Sequence, residues 1–237
     1  MSEPTTSDSK PCWRSFDSSA ELDAALAAHL AGALRADIAR RGAGSLALSG
    51  GNTPQAMFRA LSREQLPWTE VALTLVDERW VDSGHADSNE RLLRDNLLQN
   101  AAATARLAGL KTPHPRATEG EGEANARVAA LPRPFTAVVL GMGGDGHTAS
   151  WFPQAANLHR LLDSRGTDLV AATEPVTAPH ARMTLTLPAV LASGEIIVHI
   201  TGDEKKAVLG EAIARGYPIA AILQQTQPPV SIWWAPQ

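Results

Sequence analysis

The stretch that decides the fold is residues 135–153, FTAVVLGMGGDGHTASWFP. Its first six residues are largely apolar and rich in valine, which predicts a buried strand. Four glycines follow the strand, with one aspartate and one histidine between them. Glycine lets a loop backbone approach a ligand closely, and histidine is the side chain most easily poised to move protons near neutral pH. Because open α/β sheets bind small molecules at the carboxyl ends of their strands, the stretch predicts an active site.

Outward from this stretch, helix and strand patterns alternate along the chain. A capping box at 18–21 and an apolar residue at every fourth position from 22 to 38 predict a long helix that ends at Gly42. Further strands are expected at 45–48, 71–76, 107–110, 169–173, 182–187 and 196–200. Further helices are expected from 53 and at 88–99, 119–130 and 204–215. Closing elements are expected at 219–223 and 230–234, and Trp233 and Trp234 of the last element are expected in the core.

This alternation predicts the fold class. Strands that alternate with helices form right-handed βαβ units. We therefore expect an α/β protein, a three-layer αβα fold with a mostly parallel, Rossmann-like doubly wound sheet. No change in composition divides the chain, which predicts a flexible N-terminus at 1–12 and a single α/β domain at 13–237.

The bulk composition limits the classes of function. Of the 237 residues, 44% are apolar and 19% are charged, as in ordinary soluble domains. The formal charge of −4 and the pI near 6.0 argue against a nucleic-acid partner, which needs a basic face. The single cysteine, Cys12, excludes an internal disulfide and fits a reducing compartment. With neither a secretion signal at its start nor an apolar run of roughly 20 residues, the chain is expected to be cytoplasmic, with no membrane partner.

A second glycine loop, Ser49-Gly50-Gly51-Asn52-Thr53-Pro54, lies between a predicted strand and a predicted helix. Thr53 is a good N-cap, and Pro54 suits the first helical position. The glycines allow several N–H groups to point at one spot, where the helix N-terminus adds positive potential. The loop therefore predicts a cradle for a phosphate or a carboxylate. A tight turn with a routine cap is the alternative, and a Walker loop is excluded because no Gly-Lys-Ser/Thr follows.

Charged residues follow another predicted strand at Asp77-Glu78-Arg79. An arginine at the carboxyl end of a strand suits an oxyanion or a phosphate, and a carboxylate beside it can hold it or bind a sugar hydroxyl. A solvated turn with a local ion pair is the alternative interpretation. Arg182, before a strand, and Lys205, in the first turn of a helix, are two further candidate cations. Lys205 opposes the helix dipole, a local conflict that a bound anion would relieve.

Residues 141–146, GMGGDG, match the G-x-G-x-x-G pattern of dinucleotide-binding proteins letter for letter. Three features oppose that interpretation: the motif lies in mid-chain, Asp145 would place a carboxylate against the pyrophosphate, and Trp151-Phe152-Pro153 ends any helix within about two turns. We therefore expect no dinucleotide cofactor. No metal is expected either, because the chain has one cysteine and its histidines show no ligand spacing.

Taken together, five segments resemble the 6-phosphogluconolactonase family, within the larger group that includes glucosamine-6-phosphate isomerases and deaminases. They occur in the family's order. The segments are Ser49-Gly50-Gly51-Asn52-Thr53-Pro54, Asp77-Glu78-Arg79 with Ser88-Asn89, Gly141 to Pro153, Arg182-Met183-Thr184-Leu185-Thr186, and Thr201-Gly202-Asp203-Glu204-Lys205. The resemblance implies hydrolysis of 6-phospho-D-glucono-1,5-lactone, a step of the oxidative pentose phosphate pathway, without a cofactor.

Two positions favour the lactonases over the deaminases. Phe152 stands where the deaminases carry a catalytic glutamate, and Arg79 stands where they carry a tyrosine after Asp-Glu. Asp82 departs from the family pattern, which usually has proline after Arg-x-Val, and this leaves the shape of that loop open. A deaminase of the same fold and a sugar-phosphate-binding protein without activity are the alternatives.

Lactone opening needs an activated water, a stabilised oxyanion and a proton for the leaving oxygen. We expect His147 to take the proton from water and return it to the leaving oxygen, and Asp145 to orient the imidazole. Asp77 is expected to bind sugar hydroxyls or position the water. Arg79 is the leading candidate for the oxyanion, helped by backbone N–H groups of the loop at 143–147.

The remaining candidates are assigned to substrate binding. The phosphate set is Ser49, Gly50, Gly51, Asn52, Thr53, Arg182 and Lys205, and the loop glycines are Gly143, Gly144 and Gly146. The split between oxyanion and phosphate roles among Arg79, Arg182 and Lys205 stays open. We expect a monomer or a weak homodimer that binds a small sugar-phosphate lactone.

Overall fold

A computed structural model describes residues 11–237, and its centre is a parallel sheet of seven strands. The strands of the chain are β1 (Cys12–Ser15), β2 (Gly44–Leu48), β3 (Val71–Leu75), β4 (Asp77–Arg79), β5 (Arg106–Ala108), β6 (Ala137–Leu140), β7 (Val170–Thr173), β8 (Arg182–Leu185), β9 (Ile196–Thr201) and β10 (Val230–Ala235). The large sheet has the order β1-β10-β9-β6-β2-β3-β5, and every neighbouring pair is parallel. The predicted parallel α/β fold is confirmed.

Helices cover both faces of this sheet. They are α1 (Ser19–Arg41), α2 (Gln55–Leu61), α3 (Asn89–Asn96), α4 (Ala117–Ala129), α5 (Leu158–Leu161), α6 (Leu187–Leu191), α7 (Asp203–Arg215) and α8 (Ala220–Leu223). Helix α1 follows its sequence pattern closely. The Ser18 side chain accepts a hydrogen bond from the Glu21 N–H, the leucines at every fourth position are buried, and Gly42 ends the helix at φ 79°.

A second, antiparallel sheet of order β4-β8-β7 was not predicted. Strand β4 follows β3 after a single residue, and the Leu185 N–H donates to the Val76 carbonyl at 2.8 Å, which joins the small sheet to the end of β3. The solvated-turn interpretation of Asp77–Arg79 is therefore wrong, because these residues form a strand and the Glu78 side chain is fully buried. Antiparallel pairing of such short strands depends on partners far along the chain, which local periodicity does not reveal.

Three local expectations need correction. Helix α2 begins at Gln55 with Pro54 at its N-cap position and no side-chain cap, so Thr53 does not cap it. The closing element at 219–223 is helix α8. The flexible N-terminus predicted at 1–12 falls mostly on residues 1–10, outside the described residues, while Cys12 is the first residue of β1 and pairs with Ser231.

The core contains the large aromatic side chains of the central strands and loops. Trp151, Trp233, Phe58 and Phe135 are among the largest fully buried side chains. Trp233 thus lies in the core as expected, whereas Trp234 is only partly buried and packs under the Lys206 ammonium at 3.6 Å. Within residues 11–237, none of the helices has the length and apolar content needed to cross a membrane.

The order of the large sheet creates a crevice between β2 and β6. The chain leaves β2 toward β3 and β5 on one side, and it leaves β6 toward β9 and β10 on the other. At such a topological switch point the loops after the two central strands diverge and leave room for a ligand at the carboxyl ends. The fold therefore brings the Ser49 loop, which follows β2, beside the Gly141 loop, which follows β6.

Candidate active site

A cavity of about 310 Å³ opens at this switch point. It lies at the carboxyl ends of four adjacent strands, β9, β6, β2 and β3, and at the start of α7. Its lining residues are Ser49, Gly50, Gly51, Asn52, Thr53, Pro54, Asp77, Arg79, Asn89, Val139, Leu140, Gly141, Met142, Gly143, His147, Ala149, His199, Ile200 and Lys205. The two glycine loops singled out in the sequence thus share one cavity.

The loop after β6 presents His147 on a tight turn. The Gly146 N–H donates to the Gly143 carbonyl at 3.1 Å, the Gly143 N–H donates to the His147 carbonyl at 2.9 Å, and Gly146 adopts a positive φ of 76°. His147 Nδ1 lies 2.5 Å from Asp145 Oδ1. Because a carboxylate only accepts hydrogen bonds, Nδ1 carries the proton and Nε2 carries the lone pair. No described residue makes a hydrogen bond to Nε2, so this nitrogen is able to accept a proton.

The electrostatics of the pair favour a charged Asp145. Burial alone would raise the pKa of the Asp145 carboxyl, but the charge and hydrogen bonds of His147 outweigh burial and lower that pKa. An ionised carboxylate at Nδ1 keeps the imidazole in one tautomer and stabilises its protonated form. This is the arrangement that a general base needs from its orienting partner.

Two neighbours fix the plane of the imidazole. A Cβ on Gly143 would lie 2.2 Å from His147 Cε1, so the ring packs directly over this glycine and no larger residue fits there. The second neighbour is the Phe152 ring, whose centroid lies 4.5 Å from that of the His147 ring. The Trp151 indole N–H donates to the Leu185 carbonyl at 2.8 Å and anchors the end of the loop on the small sheet.

Three of the five backbone N–H groups at 143–147, which were predicted to help Arg79 at the oxyanion, already donate hydrogen bonds within the loop. The N–H groups of Gly143 and Gly146 donate within the loop, and the His147 N–H donates to Asp145 Oδ1 at 3.2 Å. Of the three loop glycines, only Gly143 lines the cavity. These amides hold the loop in shape, and their hydrogen bonds leave them unavailable to a substrate oxygen.

The Ser49 loop forms the opposite wall of the cavity, and all five of its predicted phosphate-binding residues line it. Ser49 Oγ accepts a hydrogen bond from the Gly141 N–H at 2.8 Å, which ties the two glycine loops together. Gly51 has φ 88°, and a Cβ on Gly50 would lie 1.9 Å from Asn89 Oδ1. Both glycines are therefore required by the backbone shape and by the close approach of Asn89.

Lys205 supplies a positive charge to the cavity. It lies in the first turn of α7, as predicted, lines the cavity, and donates from Nζ to the Met142 carbonyl. This contact holds the ammonium at the cavity, and an ammonium has three donors. No other hydrogen bond from Nζ is made to residues 11–237, so donors are available for an anion. The cavity therefore combines a proton-accepting imidazole, a glycine turn and a cation, which come from three different segments of the chain.

Asp77 and Arg79 reach the cavity from the small sheet. Asp77 Oδ2 accepts from Ser150 Oγ at 2.6 Å, and its carbonyl accepts from Asn89 Nδ2 at 2.9 Å. Arg79 Nη1 donates to the Asp87 carbonyl at 2.8 Å, whereas Nε is buried without a hydrogen-bond partner among the described residues. Both side chains line the cavity, as the sequence predicts.

Arg182 lies apart from the other predicted phosphate ligands. It pairs with Arg79 across β4 and β8, but its side chain is buried and does not line the cavity. Its Nη1 donates to the carbonyls of Pro179 and His180, and burial, reinforced by the charge of Arg79, lowers the pKa of the guanidinium. In the structure Arg182 holds the turn before β8, and the phosphate role predicted for it has no geometric support.

Three residues of the site were not assigned a role from sequence. Asn89, read only as a helix start, lines the cavity and holds Asp77, and Ser150 holds the other side of Asp77. Both belong to segments that resemble the family, which was the available signal. Glu78 accepts hydrogen bonds from the N–H groups of Asn89 and Glu90 and from Ser88 Oγ, and it therefore fixes the start of α3.

His199 is buried on β9 and lines the floor of the cavity. Its Nε2 lies 3.5 Å from Asp23 Oδ1, and neither atom has a hydrogen-bond partner among the described residues. Burial lowers the pKa of His199 to about 4 and raises the pKa of Asp23 to about 6, the latter partly offset by the charge of Arg59. His199 is therefore uncharged at neutral pH.

Comparison with known proteins identifies the family of the chain. The model of the glucosamine-6-phosphate isomerase/6-phosphogluconolactonase family matches residues 17–233. The chain belongs to this family. It is 43% identical to the 6-phosphogluconolactonase of Rhizobium meliloti (strain 1021) over 93% of this chain and 97% of that protein, and 41% identical to that of Pseudomonas aeruginosa over 93% of each.

A solved structure extends the comparison to three dimensions. The crystal structure of a 6-phosphogluconolactonase from Shewanella baltica OS155 superposes with a TM-score of 0.93 at 41% identity, covering 96% of this chain and 99% of that one. The resemblance drawn from the motifs is confirmed. Membership of the isomerase/lactonase family leaves the choice of reaction to the residues in the cavity.

Proposed function

We propose that the protein hydrolyses 6-phospho-D-glucono-1,5-lactone to 6-phospho-D-gluconate. The observation that carries the proposal is the sharing of one cavity by the His147–Asp145 pair, the Ser49–Thr53 loop and Lys205. The cavity volume of about 310 Å³ suits a single sugar phosphate. The relatives named as 6-phosphogluconolactonases cover nearly the whole chain, which supports the same substrate.

His147 acts as the general base in this proposal. Nε2 takes a proton from a water molecule, whose oxygen attacks the lactone carbonyl carbon and forms a tetrahedral oxyanion. The carbonyl then re-forms, the bond from this carbon to the ring oxygen breaks, and the imidazolium returns its proton to that oxygen. The product carboxylic acid releases a proton to solvent at neutral pH. Asp145 at Nδ1 stabilises the imidazolium between the two proton transfers.

The anionic groups of the substrate are divided between two cations. Arg79, on the Asp77 side of the cavity, is assigned to the oxyanion, and the Ser49–Thr53 loop with Lys205 is assigned to the phosphate. Arg79 is suited to this role because its side chain lines the cavity and its guanidinium carries a permanent positive charge. Asp77, held by Ser150 and Asn89, is placed to accept hydrogen bonds from sugar hydroxyls.

The second candidate function is a sugar-phosphate isomerase or deaminase, because the family includes such enzymes. Phe152 argues against it. Its phenyl ring contacts the His147 ring at 4.5 Å, at the position where the resemblance places a catalytic glutamate in deaminases. A phenyl ring neither accepts nor donates the proton that such a reaction moves.

The proposal is tested with lactone generated immediately before use. Proton release is followed with and without the protein, in the presence of a chelator, against the spontaneous background. We expect strong acceleration that the chelator does not abolish. Ammonia release from glucosamine 6-phosphate, in place of lactone hydrolysis, would favour the deaminase. Tight binding of 6-phosphogluconate with no acceleration of lactone hydrolysis would indicate a sugar-phosphate-binding protein without activity.

A further inference from the structure

Two loops beside the cavity bring two histidines and an aspartate together. His85 and Asp87 lie between β4 and α3, and His180 lies just before β8. One potential ligand atom from each of the three side chains lies within 4.8 Å of the other two. Among residues 11–237, these three side chains are the group of histidine and acidic residues that is close enough together to bind a metal ion. It lies outside the cavity proposed for the lactone, and no step of the proposed reaction uses it.

The distances within this His85–Asp87–His180 cluster match those of a bound transition ion. His180 Nε2 lies 3.0 Å from Asp87 Oδ2, and His85 Nδ1 lies 3.8 Å from the same oxygen. Ligands bound at 2.0–2.2 Å in tetrahedral geometry are separated by about 3.4 Å. The two imidazole nitrogens lie within 4.8 Å of each other, so an ion at the centre needs the three side chains to move closer together. His85 Nδ1 accepts a hydrogen bond from the Asp87 N–H at 3.1 Å, and it exchanges this hydrogen bond for the ion.

The backbone of His180 shows that its position is imposed by the fold. It adopts φ 66°, in the left-handed region that is uncommon for non-glycine residues, although histidine occupies it more often than most, and surrounding contacts hold it there. The enforcing contact is the buried Arg182 guanidinium, which donates to the carbonyls of Pro179 and His180. The imidazole is thereby directed toward Asp87 on the other loop.

The second loop is held in the same manner by the adjacent strand. Arg79 is opposite Arg182 in the β4–β8 pairing, and its Nη1 donates to the Asp87 carbonyl at 2.8 Å. Two paired arginines thus each hold one ligand-bearing loop by a carbonyl group, and the side chains of the loops converge. The ring of His85 meets that of His180 edge to face at 5.7 Å, so the rings are crossed rather than stacked on one another.

We propose that His85, Asp87 and His180 bind a divalent transition ion of the zinc class, which joins the two loops. Two imidazoles and one carboxylate are a common ligand set for such ions, and water completes the coordination because the three side chains are solvent-accessible. The charges of neighbouring arginines weaken the attraction, so we expect micromolar affinity. The ion fixes the loop that anchors Arg79 and does not touch the reacting atoms.

This site could not be predicted from the sequence, since His180 is distant along the chain from His85 and Asp87. Pairing of β4 with β8 brings these loops together, and this pairing was itself unpredicted. The expectation of no metal rested on spacing along the chain, and the proposed site is assembled by the small sheet instead.

The test is metal binding by untagged, chelator-stripped protein. Zn²⁺ is titrated by calorimetry, and Co²⁺ is followed by its visible ligand-field absorption. His85→Ala and His180→Asn are the test variants, and asparagine is chosen at 180 because it tolerates a positive φ. His114→Ala, a half-exposed histidine on another loop, is the matched control, and His147→Asn identifies any ion held in the lactone cavity instead.

We expect one ion per chain, with affinity reduced at least about tenfold in both test variants and unchanged in His114→Ala and His147→Asn. Hydrogen exchange should slow on Zn²⁺ addition in both loops, 82–88 and 174–181, because one ion bridges them. The proposal is overturned if the wild type binds no ion, if either test variant binds as well as the wild type, or if binding is lost in His147→Asn. Protection confined to one loop would likewise contradict a bridging ion.

Discussion

The two walls of the cavity are assembled from the chain in opposite ways. The wall that carries His147 is a single loop, in which Asp145, Gly143, Gly146 and Phe152 position one imidazole through contacts close in sequence. The rest of the lining combines a glycine turn after β2, a lysine at the start of α7 that contacts the Met142 carbonyl, and an arginine from a second sheet. The first depends on local residue choice, and the second depends on the order of strands.

This difference predicts where single substitutions act. A change in the His147 loop should affect the proton-transfer step while substrate binding is retained. A change in the Ser49 loop or at Lys205 should affect affinity for the phosphate and have less effect on the chemical step, whereas a change at Arg79, which is assigned to the oxyanion, should affect the chemical step. The substitutions below test that separation in order of decreasing effect.

Gly143→Ala should have the largest effect after the loss of His147 itself. The new methyl group would lie 2.2 Å from His147 Cε1 and 2.8 Å from Asp145 Oδ1, so the imidazole must move. A displacement of about 1 Å costs on the order of 10²-fold in rate, and we expect kcat to fall by that factor with 6-phosphogluconate affinity retained. Gly144→Ala is the matched control, since its methyl group meets nothing within 4 Å. Equal kcat values for the two variants would remove the link between ring position and rate.

Lys205→Ala should weaken the binding of phosphorylated sugars about 10- to 100-fold, because a charged hydrogen bond is lost from a partly enclosed site. Lys206→Ala is the control, since Lys206 packs over Trp234 instead of lining the cavity. The measurement is KM for the phosphorylated lactone beside KM for an unphosphorylated one. A similar increase for both lactones would show that Lys205 does not recognise the phosphate.

Arg182→Met should separate structural from binding roles on the β4–β8 pair. Loss of the donors to Pro179 and His180 should lower the free energy of unfolding by about 1–3 kcal/mol. The affinity for 6-phosphogluconate should stay near the wild-type value, because Arg182 does not line the cavity. Thermal unfolding and calorimetric titration measure the two quantities. A loss of affinity as large as that of Lys205→Ala would restore the phosphate role predicted from sequence.

Asp23→Asn should produce the smallest effect, a change in the pH dependence of stability. The pKa of Asp23 rises from 3.8 to about 6 on folding, so the free energy of unfolding falls as pH rises through this interval. The pKa of His199 falls from 6.5 to about 4, so its contribution increases the free energy of unfolding as pH rises from 4 to 6.5. The two contributions oppose each other in the wild type.

Removal of Asp23 leaves the His199 contribution alone. Between pH 4 and 6.5 the free energy of unfolding should therefore increase more in Asp23→Asn than in the wild type. We expect the two increases to differ by about 1 kcal/mol after solvent screening. Chemical denaturation at a series of pH values measures this slope, and His199→Asn should change it in the opposite direction. Identical slopes in both variants would show that the groups do not titrate as described.

The same contrast between local contacts and long-range pairing explains which features could be predicted from the sequence alone. The His147 loop, the Ser49 loop and the alternation of strands and helices have short-range signatures, and their positions were predicted correctly. The second sheet, the turn at Arg182 and the role of Asn89 depend on pairing between distant segments, which periodicity does not encode. Thr53 was misread as a cap because its residue type is favourable, whereas the chain turns once more before α2 begins.

The central claim is that the His147 imidazole transfers protons for lactone opening in this cavity. The direct measurement is the rate of hydrolysis of freshly generated 6-phospho-D-glucono-1,5-lactone by His147→Asn beside the wild type, with 6-phosphogluconate binding measured on both proteins. We predict a fall in kcat of roughly 10²–10⁴-fold with binding largely retained. A variant that hydrolyses the lactone at nearly the wild-type rate would contradict the account.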